Sequence, residues 1–166
     1  MKTKLLLLFL LISTSIFAQN ATGTQPKMAL SKYFELFQGN KNISYFEVSG
    51  EMFKMMSEAN GPSNEFKENI RKLTSLKVIK SNNDEDSEGG YYFFLDRVDL
   101  KDFTLLMKSS QPNKKVSFYK KENKNSENEY LLVSTKMTIF LTGTIDIKSL
   151  QEMDAIMNIA GKALEM

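Results

Sequence analysis

The sequence predicts an α+β fold, a two-layer domain in which helices pack on one face of an antiparallel-rich sheet of about five strands. Two patterns lead to this prediction, because some segments repeat apolar residues at helical spacing while others alternate them with polar residues. The third observation is the order of the segments, which is helix, strand, two helices, strand, helix, three strands and helix when the ambiguous apolar segment Tyr91–Val98 is left out. Strands in this order can pair antiparallel while the helices cover the sheet.

The segment 1–18 has the pattern of a cleavable signal peptide. Lys2 and Lys4 precede the apolar run Leu5–Ile12, and Ala18 supplies a small residue at the cleavage point. The run is shorter than the roughly 20 residues that a membrane-spanning helix needs, so cleavage is favoured over an uncleaved N-terminal anchor. We therefore expect an exported protein, periplasmic or secreted, that has no transmembrane anchor after cleavage.

The charge balance of the exported chain argues against a nucleic-acid partner. The 166 residues include 22 basic and 20 acidic side chains, and removal of Lys2 and Lys4 with the signal peptide makes the two numbers equal. Only Arg71 and Arg97 are arginines, so the bidentate donors that suit phosphate and guanine are scarce. We expect no nucleic-acid binding.

Cysteine and histidine are both missing from the sequence. Without cysteine there is no disulfide and no sulfur for a bacterial lipid anchor, so packing alone must hold the fold. The absence of histidine as well excludes Ser-His-Asp and Cys-His catalysis and ordinary zinc sites. We therefore expect no catalytic residues, no metal site, no cofactor and no lipid anchor, and we do not expect an enzyme.

A single domain is predicted at 29–166, after a polar, flexible leader at 19–28. Its first helix ends before Gly39, which suits the left-handed conformation that often follows a helix. The apolar face of this helix is Leu30, Tyr33, Phe34 and Phe37. A strand at Ile43–Ser49 follows, because Phe46 and Val48 share one of its faces.

Two further helices and a strand are predicted next. Ser49 is a suitable N-cap for a helix at Gly50–Ala59, and Ser63 or Asn64 can cap a second helix. The apolar face of the second helix is Phe66, Ile70 and Leu73. The strand Leu76–Lys80 follows it.

The middle of the chain is predicted to contain a loop and two helices. Residues 81–90 have no apolar side chain and end in two glycines, which is typical of an exposed loop. Tyr91–Val98 is assigned to a helix, and Asp99 is a suitable N-cap for another helix at Leu100–Ser109. The apolar stripe of the latter is Leu100, Phe103, Leu106 and Met107.

The C-terminal third is predicted to contain three strands and a helix. The first strand ends near Lys121, a polar loop follows at Glu122–Asn128, and a hairpin starts at Leu131 with its turn near Thr135 and Lys136. The odd positions of this hairpin are assigned to one buried face, which consists of Leu131, Val133, Met137, Ile139, Leu141, Ile145 and Ile147. The last helix begins near Asp146 or Ser149 and buries Leu150, Met153, Ile156, Met157, Ala160 and Leu164.

Two segments resemble a known family. They are Tyr45–Met56, YFEVSGEMFKMM, and Leu131–Leu150, LLVSTKMTIFLTGTIDIKSL. The chain is similar to the exported Bacteroidota proteins classed as domain of unknown function 4252, from about Leu30 to Met157. This resemblance implies export and one domain, and it implies no catalytic residues. Many relatives look like lipoproteins, whereas this chain lacks the cysteine that would carry a lipid.

Two motifs resemble chemical sites, but their spacing argues against both. Oxygen ligands alternate within the loop at Asn82, Asp84, Asp86 and Glu88. The glycine and the last carboxylate of an EF-hand calcium loop are missing there, so a solvated acidic loop is favoured. Ser117 and Lys120 have the spacing of serine acyl-transfer enzymes, but a strand would direct them to opposite faces of the sheet.

Two apolar sets are candidate binding surfaces. The first, Met52, Phe53, Met55 and Met56, could form an adaptable groove, although core packing explains the same spacing and is favoured. The second, Tyr130, Leu132 and Phe140, falls on the otherwise polar face of the hairpin. Either the N-terminal helix covers this second set, or the set forms part of a partner site.

The sequence favours a non-enzymatic envelope protein that binds another envelope protein or an apolar ligand, with Tyr130, Leu132 and Phe140 as the candidate contact residues. One alternative is a carboxylate-dependent hydrolase, which needs two Asp or Glu side chains roughly 5 to 10 Å apart across a cleft. No spacing in the sequence predicts such a pair. A second alternative is a regulatory protein of envelope stress.

Overall fold

The computed structural model describes residues 26–59, 63–81, 93–112, 114–123, 127–145 and 147. Within these ranges the chain forms three helices, a further helical segment at 93–97, and six strands. The helices are α1 (Leu30–Leu36), α2 (Gly50–Glu58) and α3 (Asn64–Arg71). The strands are β1 (Ile43–Ser49), β2 (Leu73–Ser81), β3 (Thr104–Gln111), β4 (Lys114–Glu122), β5 (Asn128–Ser134) and β6 (Met137–Gly143).

Several predicted features lie outside the described residues. They are the signal peptide at 1–18, the leader up to residue 25, the acidic positions 82–88 and the last helix from residue 149 onward. These features stay predictions.

Serine caps begin α2 and α3, as the sequence predicts. The hydroxyl of Ser49 accepts a hydrogen bond from the Met52 N–H at 3.4 Å, and that of Ser63 accepts one from the Phe66 N–H at 3.2 Å. Each cap satisfies an N–H group that has no partner within the first helical turn. Beyond the end of α1, Gly39 has a φ of 78°, the left-handed conformation that glycine adopts without strain.

All six strands form one sheet in the order β1-β2-β6-β5-β4-β3, and every neighbouring pair is antiparallel. The antiparallel α+β prediction is thus confirmed, but the predicted number of strands is one too low. β2 also begins earlier than expected, since Leu73 is its first residue rather than part of α3. β1 and β3 are the two edge strands of the sheet.

The extra strand is β3, which replaces the helix predicted at Leu100–Ser109. Asp99 caps a turn instead of a helix. Its carboxylate accepts a hydrogen bond from the Lys101 N–H at 3.1 Å. The chain then reverses direction where the Phe103 N–H donates to the Leu100 carbonyl. From Thr104 the backbone then pairs with β4. Tertiary pairing with a neighbouring strand overrides the helical spacing of the apolar residues.

The tight turn predicted near Thr135 and Lys136 joins β5 to β6. It contains neither glycine nor asparagine, and Ser134 stabilises it instead. The hydroxyl of Ser134 accepts from the Met137 N–H at 3.1 Å and donates to the Met137 carbonyl at 3.0 Å. A serine side chain thus replaces backbone hydrogen bonds in closing the hairpin.

The core consists of two hydrophobic clusters on opposite faces of the sheet. We call the face that packs against α2 and α3 the front face, where Phe53 and Ile70 join strand residues such as Val78 and Leu141. On the back face, residues of α1 and of the helical segment at 93–97 pack against other strand residues. The predicted two-layer packing with helices on one face is therefore not confirmed, because the central strands bury apolar side chains on both sides.

Aromatic packing holds α1 on the back face. Tyr33 makes an edge-on ring contact with Phe94 of the helical segment at a centroid distance of 4.6 Å, and Phe34 lies 5.9 Å from Phe140 of β6. Met28, before the helix, forms a parallel bridge with Val98, so the two chain segments on this face are also joined through their backbones. Residues 93–97 confirm part of the helix predicted at Tyr91–Val98.

Candidate functional site

The three side chains predicted as a contact surface belong to the core. Tyr130 is fully buried, Leu132 is 6% exposed, and both lie in the front cluster. Phe140 is half-buried in the back cluster, where it packs against Phe34 of α1. The structure thus brings Tyr130 and Leu132 together and places Phe140 on the other side of the sheet. None of the three offers a large exposed surface to a partner.

The two-residue turn between β5 and β6 explains this distribution. Leu132 pairs with Ile139, and Leu131 pairs with Phe140, so the side chains of an odd residue in β5 and an even residue in β6 lie on the same face. The prediction of one buried face made of all the odd positions is therefore wrong, because these residues lie on opposite faces on the two sides of the turn. The strand β5 is buried on both sides.

The buried Tyr130 hydroxyl in the front cluster forms hydrogen bonds with the chain that follows β6. Its hydroxyl donates to the carbonyl of Ile145 at 3.1 Å and accepts from the N–H of Ile147 at 2.9 Å. The side-chain amide of Asn128 donates to the same Ile145 carbonyl at 3.1 Å. These contacts hold the chain that leaves β6 against the sheet. A polar group at this depth needs such partners, and it has them.

The methionine-rich stripe of α2 divides into two halves. Phe53 is fully buried and Met56 packs against the front cluster, which agrees with the favoured core assignment. Met52 and Met55 point away from the core and are 50% and 65% exposed. This half of the stripe forms a small apolar patch on a helix rather than a groove.

The Ser117 and Lys120 pair is separated by the sheet, as predicted. Ser117 is fully buried and pairs with Val133, a residue of the back cluster. The ammonium of Lys120 lies 5.9 Å from the centre of the Tyr130 ring in the front cluster. A lysine on the opposite face cannot take the proton of the Ser117 hydroxyl, so this motif provides no acyl-transfer site.

The described residues provide few groups for carboxylate or metal chemistry. Within the described ranges, no set of three or more acidic side chains is arranged to hold a metal ion. Glu58 and Glu68 line a common groove between α2 and α3, but both residues are exposed. A general acid of the glycosidase type works in a desolvated setting, which this surface groove does not supply.

The strongest candidate surface is the edge strand β3. Leu105 and Leu106 are each 48% exposed, the highest values for large apolar residues in the sheet strands that the structure describes. They are adjacent because β3 is irregular at this point. Leu105 pairs with Tyr119 and Met107 with Phe118, so Leu106 is an extra residue with no partner in β4.

The outer side of β3 is open within the described part of the chain. Its backbone is paired with β4 alone, and no other hydrogen bond in the described ranges reaches residues 104–111. In an antiparallel pair, alternate residues direct their N–H and C=O groups away from the neighbouring strand. Counted from the pair Gln111 and Lys114 that closes the hairpin, Lys108 and Ser110 are the outward residues.

The other edge, β1, is less accessible than β3. Most residues of β1 are half-buried or buried, whereas most residues of β3 are exposed. The β3 surface is not apparent from the sequence, because the spacing of these residues predicts a helix. One sign of a strand is the pair Pro112 and Asn113, which precedes the alternating residues Val116–Tyr119 and favours a turn between two paired strands.

Comparison with known proteins gives a family but no activity. No curated protein and no solved structure matches the chain. Within the described ranges, none of the helices is long and apolar enough for a membrane span. The family model described as Domain of unknown function (DUF4252) matches residues 34–153, which is most of the chain. This match confirms the family resemblance carried by Tyr45–Met56 and Leu131–Leu150. The chain belongs to the DUF4252 family.

Proposed function

We propose that the protein is a non-enzymatic binding module of the cell envelope, and that it binds an extended segment of another envelope protein along β3. The observation that carries this proposal is the open outer edge of β3 together with the exposed Leu105 and Leu106. A partner segment would add a seventh strand to the six-stranded sheet.

Strand addition uses two kinds of interaction. The outward N–H and C=O groups of Lys108 and Ser110 would supply backbone hydrogen bonds and thereby fix the position of the segment. Leu105 and Leu106 would lose their remaining contact with water. At about 25 cal/mol per Å² of apolar surface, covering a half-exposed leucine stabilises a complex by roughly 1 kcal/mol. The irregularity at Leu106 limits the regular part of the edge to Met107–Gln111, so the segment is short.

The localisation in this proposal is based on the sequence. The basic start, the apolar run and the small residue at Ala18 support export with cleavage of residues 1–18, to the periplasm or beyond. The described structure favours a protein segment over an apolar small molecule, because its exposed leucines lie along a strand edge. The groove between α2 and α3 is lined by polar and charged side chains.

The test is a crosslinking pull-down from an envelope extract with the mature protein and three variants. Leu106→Lys places a charge on the proposed contact, and Ser110→Pro removes one outward N–H without removing a bond to β4. Met55→Lys is the matched control, since it makes the same kind of change on the exposed face of α2. We expect wild type and Met55→Lys to retain the same partner, and both β3 variants to lose it at least tenfold.

Two checks keep the outcome interpretable. Urea midpoints show whether each variant is folded, and Ser110→Ala keeps the outward N–H and is expected to retain the partner. Capture that is unchanged in both β3 variants, or that is lost only in Met55→Lys, would refute the proposal. A second copy of the same chain recovered through β3 would identify the partner as the protein itself.

A further inference from the structure

A surface pocket lies where α2 begins, α3 ends and β2 starts. It has a volume of about 530 Å³ and is lined by Gly50, Lys54, Glu58, Arg71, Leu73 and Thr74. A second groove, of about 460 Å³, continues between α2 and α3 and shares Glu58 and Arg71 with the first. Arg71 therefore lies at the junction of the two spaces. This region is on a different part of the molecule from β3.

A hydrogen bond to a buried serine fixes Arg71 in position. The Nε of Arg71 donates to the Ser57 hydroxyl at 3.0 Å, and that hydroxyl donates to the carbonyl of Lys54 at 2.7 Å. Ser57 is only 1% exposed, so the anchor belongs to the packed part of α2. The guanidinium consequently has a defined direction, although the residue as a whole is exposed.

The outer end of the guanidinium is available to a ligand. Apart from the bond to Ser57, no hydrogen bond or ion pair of the Arg71 side chain is formed with the residues that the structure describes. Its two terminal nitrogens carry four N–H groups in a planar fork, which matches the two oxygens of a carboxylate or phosphate. An arginine that is anchored at Nε loses less freedom when it binds such a group.

The other lining residues include a second cation and a hydroxyl pair. Lys54 lines the same pocket as Arg71, and Lys67 lines the adjoining groove. The hydroxyl of Thr74 is bonded to that of Thr142 at 2.8 Å, and either oxygen can be the donor. Glu58 is the carboxylate of the pocket, and within the described ranges it has no ion pair with Arg71 or Lys54. In the pocket itself two cations, Arg71 and Lys54, thus face one acid, while the adjoining groove adds one further base and one further acid, Lys67 and Glu68.

We infer that this pocket binds an oxyanion group, a carboxylate or a phosphate, which Arg71 holds through two parallel hydrogen bonds and Lys54 attracts by its charge. The site is separate from the proposed strand-addition surface, and either can fail without the other. Because the pocket is open to solvent, we expect a dissociation constant in the millimolar range for a small anion on its own.

The experiment is an NMR titration of the isotope-labelled mature protein at constant ionic strength, with chloride as the reference anion. Inorganic phosphate is one probe, and a tripeptide with a free C-terminal carboxylate is the other, with its amidated form as control. We expect saturable shifts of the Arg71 Nε–H signal and of the Gly50 and Thr74 amides. A response to phosphate alone or to the free tripeptide alone identifies the source of the oxyanion, and both outcomes support the site.

Three variants distinguish specific binding at Arg71 from nonspecific electrostatic attraction of the anion. Arg71→Lys keeps the charge but removes the fork and is expected to weaken binding at least fivefold, while Arg71→Gln is expected to weaken it more than tenfold. Lys32→Gln makes the same change of net charge on the exposed side of α1, which packs on the back face of the sheet, and is expected to bind as wild type. The inference is overturned if neither probe gives saturable shifts, or if Arg71→Gln binds as tightly as Lys32→Gln.

Discussion

At the scale of single residues, Tyr130 shows how a polar group can be fully buried in this core. Its hydroxyl bridges the Ile145 carbonyl and the Ile147 N–H. We predict that Tyr130→Phe leaves both partners without this bond and lowers the free energy of unfolding by about 1 to 3 kcal/mol. Urea denaturation measures the change. Tyr45→Phe is the control, because the Tyr45 hydroxyl bonds to Glu47 on the exposed surface. Equal losses in the two variants would contradict the structural role of Tyr130.

Gly143 lies at a position in the sheet that has no room for a larger side chain. A Cβ atom at this position would overlap the carbonyl oxygen of Lys72 and come within 3.0 Å of the Leu73 Cα. The same carbonyl accepts from the Thr144 N–H at 2.8 Å, so it cannot move away without loss of that bond. The glycine therefore permits the close approach of β6 to the start of β2.

We predict that Gly143→Ala lowers the free energy of unfolding by about 2 to 3 kcal/mol. Gly39→Ala is the comparison, since that site has a positive φ but no atom within 4 Å of the added Cβ, and about 1 kcal/mol is expected there. Chemical denaturation of both variants provides the measurement. A cost at Gly143 no larger than the cost at Gly39 would show that the close approach does not exist in solution.

At the scale of elements, α1 is attached to the back face through a titratable side chain. Burial raises the pKa of Tyr33 to about 12, and a side-chain hydrogen bond with Thr138 opposes part of that effect. The neutral phenol is thus favoured by folding. Its contribution to stability is complete below the ordinary value of 10.0 and is lost as the pH rises through about 12.

We therefore predict an alkaline loss of stability that depends on Tyr33. The urea midpoint of the wild type should fall between pH 10 and pH 12, and Tyr33→Phe, which has no phenol to ionise, should show a smaller fall over the same range. Tyr45→Phe removes a less buried phenol, whose pKa is also raised by burial and by its hydrogen bond to Glu47, and this variant should retain more of the wild-type fall than Tyr33→Phe does. An identical fall in Tyr33→Phe and wild type would refute the assignment.

The elements also show what the sequence could predict and what it could not. Local patterns identified α2 and α3, because serine caps and apolar spacing act within a few residues. They failed at β3, where the spacing of Leu100, Phe103 and Leu106 is helical but pairing with β4 decides the structure. They failed again for Phe140, because the side of the sheet on which a strand residue lies depends on the number of residues in the preceding turn.

At the scale of the whole molecule, one antiparallel sheet has apolar cover on both faces and two edges of different character. The candidate site could not be predicted from the sequence, because an edge strand can be identified only when the order of the strands in the sheet is known. The proposed binding function rests on that edge. Lys108 and the irregularity at Leu106 are features that limit unspecific pairing, which a chain with an accessible edge strand requires.

The most direct test of strand addition is backbone amide hydrogen exchange in the protein alone and in its complex with the captured partner. We predict that the outward amides of Lys108 and Ser110 exchange quickly in the free protein and become protected in the complex, while α2 does not change. Protection on α2 or elsewhere, with unchanged exchange along Thr104–Gln111, would contradict the proposal.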